Sequence, residues 1–482
     1  MEFVLNKERV EVLGIDADTT VLNLLRQKGL VGTKEGCASG DCGACTVMLG
    51  AGATDGQIEY KTINACIALA GSLAGKHVVT VEGLQNGTEL HPAQRSMVEH
   101  HASQCGYCTP GFVMSLANLV EEQIGFDQTG ENLSEIVITG ISGNLCRCTG
   151  YRPIVDAGVS ALAAKRPPSV CHDEAREFLQ NYKRGYDHEQ DIADGHYHRP
   201  RCLEDLDRLV GIHGNQCLVA GATDFGLEIT QRWTRFPVII DISEVIEMRD
   251  VGISDDEISI GACVSYSQIE RIFAERSAAF GHLLLRLGSR QIRNTGTLGG
   301  NIGNASPIAD TPPVLIVWEA ILELRDARGQ TREVSVEEFF VSYRKTILAN
   351  DEYIVRVMIP AASVARFHRF YKHSKRIEDD ISSVMGAFSN WGDEQRIKGI
   401  RISYGGMAAV PVRLHEIETM LAESTLDINL VDKACAKLRT AMTPMTDVRA
   451  SASFRMDMAV EMLDRALREY MGEKLPRVDE LP

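Results

Sequence analysis

The stretch Gly36-Cys-Ala-Ser-Gly-Asp-Cys-Gly-Ala-Cys-Thr46 constrains this chain more than any other. Cys37, Cys42 and Cys45 stand at C-x4-C-x2-C spacing, and Cys66 lies downstream as a fourth thiol. Three thiolates folded round one centre need tight turns and close backbone approach, which the glycines at 36, 40 and 43 supply. The spacing is that of a [2Fe-2S] ligand loop, whose amide N–H groups point at sulfur and tune the potential. A structural zinc site is the rival, but zinc sites usually pair their cysteines with a longer gap between the pairs.

A second quartet follows. Cys105 and Cys108, in Gln104-Cys-Gly-Tyr-Cys-Thr-Pro-Gly111, precede Cys146 and Cys148, in Gly143-Asn-Leu-Cys-Arg-Cys-Thr-Gly-Tyr151. Each pair stands just before a helix start. Thr109 is expected to cap a helix with Pro110 in its first position, followed by an apolar stripe of Phe112, Leu116, Leu119 and Val120. Arg152 and Pro153 open another, carrying Ile154, Val155, Val159 and Leu162. The positive ends of two helices then face four thiolates and favour a negatively charged cluster. In an extended segment Cys146 and Cys148 share a face and reach one iron. Zinc also fits a C-x2-C pair with a C-x-C pair, so this spacing is less decisive than the first.

At 482 residues the chain exceeds one ordinary core, and the length prior is about three domains. A net charge of −16 argues against a nucleic-acid partner. No run approaches the roughly 18 to 20 apolar residues of a membrane span. Met1–Asn6 lacks a basic segment followed by an apolar run, so the expected compartment is the cytoplasm. There thirteen cysteines point to metal or catalysis more than to disulfides.

Residues 1–82 read as a hairpin (Met1–Leu5 and Arg9–Leu13), a helix (Thr19–Gln27), the cysteine loop, a strand from Thr46 to Leu49, a helix from Cys66 to Leu73 and a strand from His77 to Val81. Gly71-Ser-Leu-Ala-Gly75-Lys76 imitates a phosphate loop but is one residue short and lacks the Ser or Thr after the lysine. Residues 166–198 show no sustained apolar period and read as a linker, with His188, His196 and His198 solvated. In residues 199–365, Cys217-Leu-Val-Ala-Gly-Ala-Thr-Asp224 is a strand entering a glycine turn before a helix, an arrangement that binds anions. The run Asn294–Asp310 sets glycines among Thr297, Asn301, Ser306 and Asp310, a set of groups suited to a pyrophosphate. Residues 366–482 read as α+β, with a strand at Ile400–Tyr404 and helices at 429–441 and 456–471. Cys171, Cys202, Cys217, Cys263 and Cys435 read as linker or core residues.

The first segment resembles the β-grasp fold of plant-type ferredoxins, and QCGYCTPG with GNLCRCTGY resembles the four-helix [2Fe-2S] domain of the molybdenum hydroxylases, the xanthine dehydrogenase and aldehyde oxidase family. The two glycine elements resemble that family's vanillyl-alcohol-oxidase-like FAD-binding domain, followed by its α+β C-terminal flavoprotein domain. The resemblance implies an α+β multidomain chain with metal ligands Cys37, Cys42, Cys45, Cys66, Cys105, Cys108, Cys146 and Cys148. It implies FAD contacts at Gly221, Ala222, Thr223, Asp224, Thr297, Asn301, Ser306, Asp310, Ile354 and Lys372. Leu287 stands where animal members stack a Phe on the flavin. Gln104 matches a residue that touches the pterin across a subunit boundary, and the charged loop Lys372–Ile381 matches one bordering the flavin and NAD site.

No segment reads as a molybdopterin site. The fused order resembles the small subunit of bacterial xanthine dehydrogenases and implies a molybdopterin-binding large subunit as partner in a heterotetramer of two small and two large chains. Electrons from oxidation of hypoxanthine and xanthine to urate would pass through the second quartet, then the first, then FAD to NAD. The alternatives are another N-heterocycle or aldehyde hydroxylase, or a stand-alone diaphorase. An apolar exposed face around Gln104 and Cys105 is expected of a docking subunit and not of a free carrier.

Overall fold

Phe3, Val4 and Leu5 are buried together because Glu2–Leu5 (β1) lies inside a sheet. The chain turns at Asn6, where φ is 56°, into Glu8–Glu11 (β2). Val21–Gln27 (α1) begins at Thr20, whose hydroxyl accepts the Asn23 N–H at 3.2 Å, and buries Val21, Leu22, Leu24 and Leu25. Thr46–Gly52 (β3), Ile58–Asn64 (β4) and His77–Val79 (β5) complete the order β2-β1-β5-β3-β4, with only β1 and β5 parallel. This is the expected β-grasp sheet, with β4 as a strand the sequence reading did not include.

The helix expected at Cys66–Leu73 is instead a turn followed by a 3-10 segment, Ala70–Leu73. Carbonyls in this stretch serve α1: Val21 N–H donates to Ala68 O and Leu22 N–H to Ala65 O, both at 2.8 Å. They satisfy amides that a helix start leaves without intrahelical partners.

Four helices follow: Pro92–Glu99 (α2), Thr109–Glu122 (α3), Leu133–Ile141 (α4) and Arg152–Ala163 (α5). The α3 stripe is buried as expected, and so are Ile154 and Leu162 on α5, but Val155 and Val159 are half-buried and Ala157, Gly158 and Ala161 share the buried face. The reason is close helix packing: a Cβ on Gly158 would stand 2.5 Å from Val137 and 2.9 Å from Leu116.

The stretch expected to be a linker carries a helix, Asp173–Gly185 (α6). Ala175, Phe178 and Leu179 join the core of the helical segment. His172 secures its start, with Nδ1 accepting the Ala175 N–H at 3.3 Å and Nε2 donating to Asn6 O at 2.8 Å. His196 is exposed, His198 is buried and stacks on His213, and His188 lies outside the described residues.

The described residues are 1–52, 58–122, 132–164, 169–185, 190–192, 196–393 and 396–476 of a computed structural model. They fall into two units, residues 1–245 with 288–296, and residues 246–287 with 297–482. The stretch 199–365 therefore contributes to both. In the first unit Tyr197–Arg199 lies in a small sheet with Gln190–Ile192, Ile239–Asp241 and Leu218–Val219. Buried Arg199 donates to Ala74 O at 3.0 Å and pairs with Glu244 at 3.3 Å, and Glu244 also holds Lys76 at 3.4 Å. The lysine of the phosphate-loop imitation is thus tied up in a structural ion pair.

A small two-stranded sheet, Phe340–Ser342 with Lys345–Thr346, and two five-stranded sheets lie in the second unit. One pairs Val251–Ile253, Glu257–Gly261, Glu352–Pro360, Ile321–Asp326 and Thr331–Ser335 in that order, all antiparallel. The other is built on Phe367–His373, Val384–Asp393 and Arg396–Gly405 and packs with Ile428–Ala441 and Ala452–Tyr470. Fully buried Trp318 meets Phe273, Phe280 and Phe370 at ring-centroid distances of 5.3, 4.9 and 5.7 Å.

Candidate iron–sulfur and flavin sites

The first cysteine loop turns through three left-handed residues, Ala38 (φ 52°), Gly40 (81°) and Gly43 (64°). Gly36 has no room for a side chain, since a Cβ there would lie 2.7 Å from Cys42 Sγ. Cys37 and Cys42 are half-buried, Cys45 and Cys66 buried. Cys37 lies within hydrogen-bonding reach of Cys42 and Cys66, and Cys66 of Cys45, so the loop brings all four thiols into one chain of contacts. Cys37 Sγ also accepts the N–H groups of Ser39 and Cys42, each at 3.4 Å.

The quartet competes for negative charge. Contacts from the Cys42 and Cys66 thiols hold Cys37 well below the usual thiol range, against the opposing effect of burial. The same contact with Cys37, then burial, pushes Cys42 up, and Cys37, Cys45 and burial push Cys66 up. Only a cationic centre lets all four be thiolates together, so the donor set fits an iron–sulfur cluster.

Three supporting side chains were not legible in the motif. Thr230 Oγ1 donates to Ala38 O at 2.7 Å, Gln231 Nε2 to Cys37 O at 3.1 Å and Ala38 O at 2.9 Å, and Asn64 Nδ2 to Gly40 O at 2.7 Å. They occupy loop carbonyls whose partners lie far away in sequence, a pairing that no local pattern records.

The second quartet is more open. Cys105 and Cys148 are exposed, Cys108 and Cys146 half-buried. Cys108 lies within hydrogen-bonding reach of Cys146, and Cys105 of Cys148. Burial, then the Cys146 thiol, pushes Cys108 up to about 12. Burial opposes ionisation of Cys146 too, but Thr149 and the Cys148 N–H outweigh it and hold this thiol below its ordinary value. Thr149 Oγ1 lies 3.1 Å from Cys146 Sγ.

Thr109 does not cap α3. It is the first residue of the helix, the Phe112 N–H donates to Cys108 O at 3.2 Å, and the Thr109 hydroxyl pairs with Ser103 Oγ at 2.8 Å. A cysteine therefore stands immediately before the helix start. Arg152 and Pro153 open α5 as expected, after Tyr151 at φ 68°. The Tyr151 hydroxyl accepts the Cys146 N–H at 2.9 Å.

The two quartets are tied together within the first unit. Leu145 N–H donates to Cys42 O at 3.0 Å, and Asn144 Nδ2 donates to Gly43 O at 3.0 Å. Gln104, Tyr107, Leu145 and Tyr151 are exposed around the second quartet.

The flavin candidates divide between the units. In the first, Gly221–Asp224 follows the strand Leu218–Val219 and precedes the helix Phe225–Thr230, with Ala222 left-handed at φ 58°. Gly221 is required by packing, since a Cβ would lie 1.8 Å from Thr295 O. In the second unit Thr297 caps Leu298–Gly303 by accepting the Gly300 N–H at 3.0 Å. Gly299 is packed on Ala262, whereas Gly303 faces open space apart from Ile354. Asn301 Oδ1 accepts the Thr311 hydroxyl at 2.7 Å. Lys372 Nζ, almost fully buried, donates to Asp310 Oδ2 at 2.7 Å and to Arg286 O at 2.8 Å, and Ser382 donates to the other Asp310 oxygen. Ser306 is half-buried, Ile354 sits in the strand Glu352–Pro360, and Leu287 is buried.

Four family models match in chain order. They are a 2Fe-2S iron–sulfur cluster binding domain (residues 3–71), a [2Fe-2S] binding domain (80–158), an FAD binding domain in molybdopterin dehydrogenase (190–362) and a CO dehydrogenase flavoprotein C-terminal domain (369–470). The chain belongs to the molybdenum hydroxylase family. It carries two [2Fe-2S] domains, an FAD-binding domain and a C-terminal flavoprotein domain.

Among relatives of this molybdenum hydroxylase chain, xanthine dehydrogenase 1 of Arabidopsis thaliana is 30% identical over 489 residues, covering 87% of this chain and 36% of its own length. Xanthine dehydrogenase of Emericella nidulans is 32% identical over 480 residues, covering 87% of this chain and 35% of its own. The chain thus spans about a third of the length of these relatives. In fold it is similar to a carbon monoxide dehydrogenase from Hydrogenophaga pseudoflava (TM-score 0.54, 24% identity, 57% of this chain and 96% of that one). It is likewise similar to quinoline 2-oxidoreductase from Pseudomonas putida 86 (TM-score 0.53, 22% identity, 57% and 96%). No helix among the described residues is long and apolar enough to cross a membrane.

Proposed function

We propose that this chain is the electron-transfer subunit of a cytoplasmic xanthine dehydrogenase, serving a separate molybdopterin-binding subunit that oxidises hypoxanthine and xanthine to urate. The observation that carries the reading is the pairing of two cysteine quartets in one unit through Leu145 and Cys42, with the second quartet open to solvent. When bound, the two clusters would supply one-electron transfer and FAD two-electron exchange with NAD. Cys105, Cys108, Cys146 and Cys148 hold the cluster that faces the partner, and Cys37, Cys42, Cys45 and Cys66 hold the inner one. Exposed Tyr107, Leu145 and Tyr151 around Gln104 form an apolar rim suited to a docked subunit. Gly221–Asp224, Thr297, Asn301, Ser306, Asp310, Ile354 and Lys372 hold FAD, and the loop with Asp379 and Asp380 borders the NAD approach.

Xanthine is favoured by the xanthine dehydrogenases among the sequence relatives. The test is a pull-down of tagged chain from its native cell, with iron, molybdenum and FAD quantified and xanthine:NAD activity assayed. A copurifying larger subunit, molybdenum and urate formation support the proposal, as does a mass fitting two small and two large chains. Iron and FAD without molybdenum leave a stand-alone diaphorase, and molybdenum without xanthine turnover moves the substrate elsewhere.

A further inference from the structure

Beside the first cysteine loop lies a cleft of about 460 Å³ that the redox reading leaves without a task. Its volume is in the range of small-molecule sites, roughly 300–1,000 Å³. One wall is α1 with the stretch Asp16–Thr20 before it, and the other is the end of the helix Phe225–Thr230 with the turn that follows. The floor reaches Ala38 and Cys66. All of these residues belong to the first unit.

Trp233 sets this cleft apart. It is 84% exposed and its backbone is left-handed at φ 61°, an unfavourable conformation for a bulky residue. Hydrogen bonds on both sides hold it there. Arg232 N–H donates to Leu227 O at 3.3 Å, Thr234 N–H to Glu228 O at 2.9 Å, and Phe236 N–H to Asp18 Oδ2 at 3.3 Å. Arg235 adds an ion pair with buried Asp18 at 2.9 Å. A strained backbone kept by its surroundings, with a large ring left in water at the rim of a cleft, is a cost that a ligand on that ring would offset.

On the α1 wall Asn23 and Gln27 stand one turn apart, both exposed, so their carboxamides share a face. A carboxamide presents donors and an acceptor to the edge of a planar heterocycle, the pairing by which Asn and Gln read adenine, while an indole offers its face to the same ring. Charge narrows the class. Three carboxylates, Asp16, Asp18 and Glu35, and one guanidinium, Arg235, line the cleft, with Glu35 also paired to Arg26 at 2.7 Å. A phosphate would meet an excess of negative charge there, whereas ring N–H and exocyclic amino groups would find acceptors.

We propose that this cleft binds an unphosphorylated planar nitrogen heterocycle, of the nucleobase or nucleoside class, stacked on Trp233 and held at its edge by Asn23 and Gln27. The cleft shares no residue with the FAD candidates, and the proposal stands or falls independently of the xanthine reading.

The test is equilibrium dialysis of radiolabelled adenosine against the full chain loaded with FAD, so that the flavin site is filled. Adenosine is expected to be retained, and AMP is expected to displace it at least tenfold less well than adenosine itself. Trp233→Gly removes the indole and suits a left-handed backbone, so it is expected to keep the fold and weaken adenosine about 5- to 150-fold, the range of one base–aromatic stack. Gln27→Leu, on the other wall, is expected to weaken it about 2- to 10-fold and carries the test should Trp233→Gly misfold. No retention at millimolar adenosine, retention unchanged in the folded variants, or AMP displacing as well as adenosine overturns the proposal.

Discussion

Cys66 is the ligand candidate farthest in sequence from its companions and the one whose placement depends most on the fold. It sits in the turn whose carbonyls satisfy the start of α1, buried against Cys37 and Cys45. Cys66→Ser is expected to lower iron from about four to about two per chain and to abolish one cluster signal while sparing the other, as read by metal analysis and visible circular dichroism. Lys372 poses a different problem, because it shares a buried site with Asp310. Lys372→Met leaves that carboxylate without its cation and is expected to destabilise the chain by about 3–5 kcal/mol in urea denaturation. The double variant Lys372→Met with Asp310→Asn is expected to recover much of that loss, since removing both charges removes the desolvation problem. Recovery would mark the pair as an electrostatic unit.

Among the elements, α6 is the clearest departure from the sequence reading. Its signal was present: Ala175, Phe178, Leu179 and Tyr182 recur at helical spacing in a segment that otherwise reads as polar. Prolines at 167 and 168 and the histidines beyond drew the segment toward a linker. Phe178→Ala is expected to cost about 3–5 kcal/mol in the same denaturation measurement, whereas an unstructured connection would lose nothing. The cysteine loops were legible because their chemistry fixes spacing within a few residues. The helix expected at Cys66–Leu73 failed for the opposite reason, since its carbonyls answer to α1, which the local pattern does not contain. On α5 the apolar pattern found the helix and two of its buried residues, Ile154 and Leu162, but the closeness of Val137 and Leu116 put Ala157, Gly158 and Ala161 on the buried face in place of Val155 and Val159. At the glycine turns, sequence supplied residue type without cause: Gly221 and Gly299 make room for protein backbone, while Gly303 faces open space.

For the whole molecule, acidity is expected to weaken the fold through two buried histidines. His77 donates to Asn6 O at 2.7 Å through Nε2 and accepts the Tyr60 hydroxyl at 2.7 Å on Nδ1, so its neutral form satisfies both neighbours. Burial lowers His77 to about 4, and burial lowers His91 to about 4 as well. In the unfolded chain both take a proton as pH falls through about 6.5, while the folded chain resists until about 4. Stability is therefore expected to be full above pH 6.5, to fall between 6.5 and 4 by a few kcal/mol for the pair, and to level off below 4 as far as these groups are concerned. Thermal midpoints at pH 7.5, 5.5 and 4.5 check this, and His91→Gln should flatten the slope.

Residues 288–296 belong to the first unit although the chain enters the second before reaching them. Asn294 O accepts Lys61 from 233 positions away, and Arg290 pairs with Glu122 from 168 positions away. A ribosome delivers residues in order, so the cluster-bearing half cannot close its last contacts while residue 296 is still in the exit tunnel. Every residue through Gln291 must be synthesised before its side chain can reach Asn144 and Thr46 between the two cysteine quartets, so the redox half cannot close until the chain has already entered the second unit.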